Sequence, residues 1–141
     1  MDLRPGATGW EPRLREAWER YRRPLAITEA HLGCDDPHEQ VRWLMEAWNA
    51  AQVLRAEGGD VRAVTAWTLF GLMDWDSMLR EHRGRYEPGA FDARTDHPPR
   101  PTLLAEVVAA LAKKGTFTHA ALRVPGWWRK EERVHASLRR A

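Results

Sequence analysis

Glu29 is the first residue in this chain to combine a reactive side chain with a position that could use it. It closes the run Pro24-Leu25-Ala26-Ile27-Thr28-Glu29, after which Ala30-His31-Leu32-Gly33 leads into a turn. A carboxylate at the C-terminal end of a strand that feeds a helix stands where parallel α/β folds put their chemistry. The same position suits an ordinary solvated strand-end charge, and position alone leaves both readings open. Just downstream, His31, Cys34, Asp35, Asp36 and His38 have the composition of a zinc site. They lack a second C-x-x-C or H-x-x-x-H element, and Asp36-Pro37 already reads as a helix start, so no metal is expected. A Cys34–His nucleophile has no third group to orient it. Trp127-Trp128, with Arg129, Lys130, Arg133, Arg139 and Arg140, has the makings of a nucleic-acid or membrane-surface patch. A tryptophan pair that packs a C-terminal extension against the domain, ringed by solvated charges, accounts for the same residues. His82, His97 and His119 lie in polar surroundings and point to no chemistry.

The elements that must position these residues follow from periodicity. Residues 1–10 carry Pro5, Gly6 and Gly9 and read as a lead-in. Leu14, Trp18 and Tyr21 form one stripe of a helix over 11–23. Pro24 stops it and opens a strand, and Leu25, Ala26 and Ile27 suit a strand buried on both faces. Asp36-Pro37-His38-Glu39 starts a second helix, with an Asp cap, Pro at the first position and Glu three residues after the cap. Its two apolar stripes, Val41, Leu44, Met45, Trp48, Ala51 and Trp43, Ala47, Ala50, Leu54, predict cover on more than one side as far as Gly58-Gly59. Val61–Leu69 is the second strand, which makes a βαβ unit with a right-handed crossover. A long irregular segment over 70–101 follows, of a length that compact domains reserve for functional sites. Thr102 caps a last helix with the core stripe Leu104, Val107, Val108 and Leu111, ending at Lys113, Lys114 and Gly115. The extension 116–141 completes the chain.

Composition bounds the classes. The chain has 141 residues, enough for one domain with a modest core. A formal net charge of +2 gives no pull toward nucleic acid or membrane, and neither is expected as a partner. The single cysteine, Cys34, excludes an internal disulfide framework and fits a reducing compartment. No apolar run reaches the roughly 18 residues of a membrane span, and Met1-Asp2-Leu3-Arg4-Pro5 lacks a signal-peptide core, so a cytoplasmic location is expected. Eight tryptophans hint at an aromatic-lined, sugar-binding surface as well as a core.

Two stretches together carry a resemblance. Leu25-Ala26-Ile27-Thr28-Glu29, after a helix ending in Glu19-Arg20-Tyr21, is similar to the seventh strand of glycoside hydrolase family 1, the β-glucosidase family, whose I-T-E-N-G motif carries the catalytic nucleophile. About thirty residues on, as the spacing of that barrel requires, Val61–Leu69 resembles the eighth strand with its V-x-G-Y-x-x-W-S-L pattern. Phe70-Gly71-Leu72-Met73-Asp74-Trp75 keeps the register of the W-S-L-x-D-x-x-E-W sugar-binding loop. The match extends over most of 11–114 and looks nearest to a divergent, family-1-like branch of sugar-metabolism proteins, sometimes fused to a reductase domain. It implies Glu29 as nucleophile, Trp67 under the sugar, and Asp74 and Trp75 as the pair contacting substrate hydroxyls. The chain departs from the pattern at Ala30-His31, which stands for Asn-Gly, at Gly71, which stands for Asp, and at Asp74, one methylene shorter than Glu.

The resemblance therefore implies an α/β fold: the C-terminal βαβα part of a (β/α)8 TIM barrel, with extra helices, spanning 11–115. It implies retaining glycoside hydrolysis on a carbohydrate substrate without a cofactor. That chemistry needs two carboxyl groups about 5–5.5 Å apart, and the family's acid/base lies in an N-E-P motif that this chain lacks. Glu87-Pro88 has no Asn before it and follows the eighth strand. Two strands cannot close a barrel, so the chain is expected to be inactive alone and to need a complementary chain or self-association. It reads as a truncated or frame-shifted product, one half of a split enzyme, or a reused module. The alternative function is a non-catalytic saccharide- or protein-binding module working through loop 70–101.

Overall fold

A computed structural model describes residues 9–77, 80–94 and 98–130. The lead-in residues 1–8, His97, and the arginines 133, 139 and 140 lie outside the described residues. Helix α1 (Trp10–Tyr21) leads into strand β1 (Leu25–Ala30), helix α2 (Pro37–Ala56) and strand β2 (Val61–Ala66). The strands pair in parallel, so the core is a βαβ unit in a mixed helix-and-strand fold. Two small antiparallel ladders follow, β3 (Leu72–Met73) with β4 (Tyr86–Glu87) and β5 (Phe91–Asp92) with β6 (Arg100–Pro101). Helix α3 (Leu103–Lys114) and single 3-10 turns at Ala120–Arg123 and Trp127–Arg129 end the described chain.

Helix α2 is the hub. It contacts α1, both long strands, α3 and the 120–123 turn, and this is why it carries two apolar stripes. Val41, Leu44, Ala47, Ala50, Ala51 and Leu54 are buried on it. Each buried aliphatic side chain of Val or Leu size contributes about 1.5–3 kcal/mol of transfer free energy. Asp36 caps the helix, its Oδ1 accepting from the N–H of His38 at 2.8 Å and of Glu39 at 3.3 Å. The expected reciprocal bond from Glu39 is not made. Its carboxylate instead pairs with Arg42 at 2.8 Å and accepts from the Trp127 N–H. Thr102 likewise occupies the cap position of α3 without capping it, because its hydroxyl donates to the Gly89 and Ala90 carbonyls at 2.8 and 3.0 Å. That bond ties α3 to the segment preceding β5.

Three expectations are corrected. Strand β1 is buried on one face only: Ile27 and Ala30 point into the core, while Ala26, Thr28 and Glu29 are exposed. Helices cover one side of this two-stranded sheet, and nothing among the described residues covers the other. Strand β2 ends at Ala66, three residues short of Leu69, and the Trp67–Thr68 peptide is cis. The 70–101 segment is irregular only around two short ladders, one of which is held to the residues that follow β2. The N–H groups of Ala90 and Phe91 bond the carbonyls of Thr68 and Leu69 at 2.8 Å each.

The extension packs against the domain. Trp128 is buried, edge-on to Trp43 with centroids 4.9 Å apart, and Trp43 in turn touches Trp10 at 5.2 Å. Glu46 gathers the Trp128 indole N–H at 2.7 Å, the Arg129 guanidinium at 2.8 and 3.1 Å, and the Trp10 N–H at 3.4 Å. Trp127, edge-on to Trp128, stays half-exposed. No helix of the described residues is long and apolar enough to cross a membrane.

Candidate functional site

The C-terminal end of the β1–β2 pair is built around a register change. Between Ile27 and Ala30, β1 spends one residue more than β2 does between Val64 and Ala66. A bulge of this kind shifts the alternation of faces. It lets Ile27 and Ala30 both reach the core and leaves Thr28 and Glu29 both on the open side. Glu29 is therefore an exposed carboxylate on the uncovered face of the strand end.

Trp67 stands beside it. Its backbone N–H reaches the Ala30 carbonyl at 3.5 Å, one residue past Glu29. Its half-buried ring lies 6.1 Å from that of Trp75, tilted by 37°. The Trp67 Nε1 is buried without a hydrogen-bond partner. Trp75 begins the 3-10 turn at 75–77, which is fixed by Ser77: its N–H and hydroxyl both reach the Asp74 carbonyl, at 3.2 and 2.9 Å. Trp67 and Trp75 are thus brought together, close to the end of the strand that carries Glu29.

Asp74 has another use. It is 4 % exposed, with φ of +55°. Its N–H donates to the Arg85 carbonyl at 2.7 Å and its Oδ1 accepts from the Arg85 N–H at 2.8 Å, which pins the 74–85 loop. Burial opposes ionisation, but the N–H groups of Arg85, Gly84 and Arg83 outweigh it and hold the carboxyl below its ordinary value. The carboxylate is directed at this turn.

The zinc-like composition around Cys34 disperses. Asp36 caps α2, and Cys34 Sγ contacts the Asp36 carbonyl at 3.7 Å, with burial pushing the thiol pKa up. The His38 ring lies 5.8 Å from that of His119, tilted by 46°. His31 goes elsewhere. Among the described residues no group of three or more His, Cys, Asp or Glu side chains could hold a metal.

What sequence reasoning missed is Glu87. Its side chain is buried, and its Oε2 meets His31 Nε2 at 3.0 Å across 56 residues of chain. The bond joins β4 to the segment leaving β1, two residues beyond Glu29. Gln40 braces the same corner, donating to the Cys34 and Pro88 carbonyls at 2.9 and 3.0 Å. No local pattern announces such a pair; the signal is tertiary. Gly71 is held to glycine by the same ladder. A Cβ at Gly71 would lie 2.1 Å from the Tyr86 ring and hydroxyl and 2.5 Å from the Glu87 carbonyl, so β4 leaves room for no side chain there.

The chain is similar to the crystal structure of the β-glycosidase BGL167, with 26% sequence identity and a TM-score of 0.64. The similarity covers 84% of this chain but 27% of that one. No protein-family model matches the sequence, and no match was found among curated proteins.

Proposed function

We propose that the chain is a fragment or subunit of a family-1-like retaining glycoside hydrolase, supplying the last two strands of a (β/α)8 barrel. The observation that carries the reading is the coincidence of two measures. The chain spans 27% of a β-glycosidase, close to the quarter of a barrel that two strands represent. The carboxylate at the C-terminal end of the first of those strands is also the exposed one. Parallel barrels place their active sites at that end.

In this reading Glu29 attacks the anomeric carbon, forming the glycosyl ester as the bond to the leaving oxygen breaks. A second carboxyl, protonated, delivers its proton to that oxygen and then activates water to cleave the ester. Glu87 is not that group, because it is buried against His31. The acid/base comes from the complementary chain, and the isolated chain is inactive. Trp67 and Trp75 supply aromatic faces for the sugar ring. Asp74 shapes the loop that presents Trp75, since its carboxylate is taken up by the turn.

Co-expression with a polypeptide carrying strands one to six and an Asn-Glu-Pro acid/base tests this. Hydrolysis of aryl β-glycosides is expected from the complex and not from either chain, and Glu29→Gln abolishes it. Activity retained by the Glu29→Gln complex would sink the assignment. The competing reading is a non-catalytic saccharide- or protein-binding module. Glycoside binding by a complex that never turns over would support it.

A further inference from the structure

Three polar or charged side chains are buried among the described residues: Gln40, Asp74 and Glu87. The first two close backbone groups, Gln40 the carbonyls of Cys34 and Pro88, Asp74 the N–H of Arg85. Glu87 closes none. Its single bond goes to the His31 ring, and its Oε1 is buried with no partner. A buried carboxylate oxygen without a donor carries a desolvation cost, and Glu87 ties down no backbone in return. What it does is hold an imidazole.

The ring so held is placed to be used. His31 is half-buried, and Nδ1 is neither bonded to a described residue nor among the buried unpartnered atoms, so it reaches solvent. Ala30 points into the core, and His31 follows it directly, two residues beyond the exposed Glu29. Two residues of chain span at most about 7 Å between Cα atoms, which keeps both side chains within reach of one sugar ring. When Glu87 is ionised it accepts from Nε2–H, and the neutral ring then offers the Nδ1 lone pair as an acceptor.

We propose that His31 is a saccharide-binding residue of the strand-end site, accepting a ring hydroxyl at Nδ1, with Glu87 as the positioning residue that fixes its tautomer and orientation. This deepens the glycosidase-like reading and rests on it. The pairing follows the carboxylate–histidine logic by which a second group sets which ring nitrogen is free.

The test is long-range 1H–15N NMR on the full chain, titrated with a panel of methyl β-glycosides to about 0.1 M, well above a millimolar Kd. Before addition, the neutral His31 ring should carry its proton on Nε2. On addition, His31 Nδ1 and the Trp67 and Trp75 indole resonances should shift together with one saturation curve. Glu87→Gln, which keeps the volume, should weaken the tautomer preference and the His31 response while the indole shifts persist. Indole shifts without a His31 response overturn the proposal and leave the aromatic site standing. Absence of any shift overturns both.

Discussion

Gly71 offers the sharpest check on how the loop after β2 is assembled. Its Cα faces the Tyr86 ring and the Glu87 backbone so closely that a methyl group must displace the ring by about 0.9 Å and the Glu87 carbonyl by about 0.5 Å to stand 3.0 Å from each. The Glu87 carbonyl blocks the same direction, so rotating Tyr86 away is insufficient. Overpacking of this kind costs about 1–3 kcal/mol. The upper bound is set by letting β4 go, which forfeits the Leu72–Glu87 and Met73–Tyr86 pairing and the Asp74–Arg85 bonds, at about 1 kcal/mol per bond. Gly71→Ala should therefore cost about 2 kcal/mol, a fall of roughly 4–8 °C in Tm for a domain of this size. Urea unfolding followed by circular dichroism measures it. Gly33→Ala is the control: the one atom near its added methyl is Glu87 Oε1 at 3.8 Å, so a change within about 0.5 kcal/mol is expected. In a Tyr86→Ala background the Gly71→Ala cost should shrink without vanishing, because the carbonyl at 2.5 Å remains. Gly71→Ala matching wild type within about 0.5 kcal/mol would refute the close approach of β4, and with it the route by which Glu87 reaches His31.

Two further outcomes are expected. Trp128→Ala should cost about 3–5 kcal/mol, since it empties a buried site beside Trp43 and removes a donor from Glu46; an unchanged thermal melt would show that residues beyond 116 stand apart from the cooperative core. Asp74 has a folded pKa below its unfolded one, so its contribution is fully present above about pH 4 and is lost as pH falls through the lower folded value. Asp74→Asn should flatten that acid limb in denaturation curves taken from about pH 5 to pH 2, and an unchanged limb would contradict the loop geometry.

The helices and both long strands were legible because their signals are local. Asp36-Pro37 fixes one helix start by a cap and a ring, and the double apolar stripe of α2 announces a helix packed on several sides. The bulge at Thr28-Glu29 was not legible, since it depends on register against β2, and without it Glu29 would sit on the opposite face from its present one. The β3–β4 and β5–β6 ladders are two residues each and leave no periodicity to read. Their partners are chosen by Gly71 and Gly89, which admit neighbouring backbone. A Cβ at Gly89 would meet the Thr68 carbonyl at 2.5 Å and the Phe70 carbonyl at 2.7 Å. Glu39 and Thr102 show the converse: correct positions for caps, with side chains drawn off by tertiary partners.

The open face of the sheet says what a complementary chain would have to offer. Its exposed residues are Ala26, Thr28, Glu29, Arg62, Ala63 and Thr65, small or polar where a closed barrel interior is dominated by bulky branched side chains. At about 25 cal/mol per Å2, covering methyl and hydroxyl groups returns little hydrophobic free energy. Larger apolar side chains cluster instead around the end and outer edge of β2. Leu69, Phe70 and Met73 are exposed beyond it, and Val64, Ala66, Val108 and Leu111 line a cavity of about 140 Å3 between β2, α2 and α3. A strand added at that edge would gain ladder hydrogen bonds and an apolar groove together, whereas one laid across the face would gain neither. In the proposed assembly the edge of β2 therefore drives association, and the face is closed as a consequence. Charged substitution of Val108 should weaken reconstitution, read as loss of co-purification of the two chains, because it places a charge in that apolar groove.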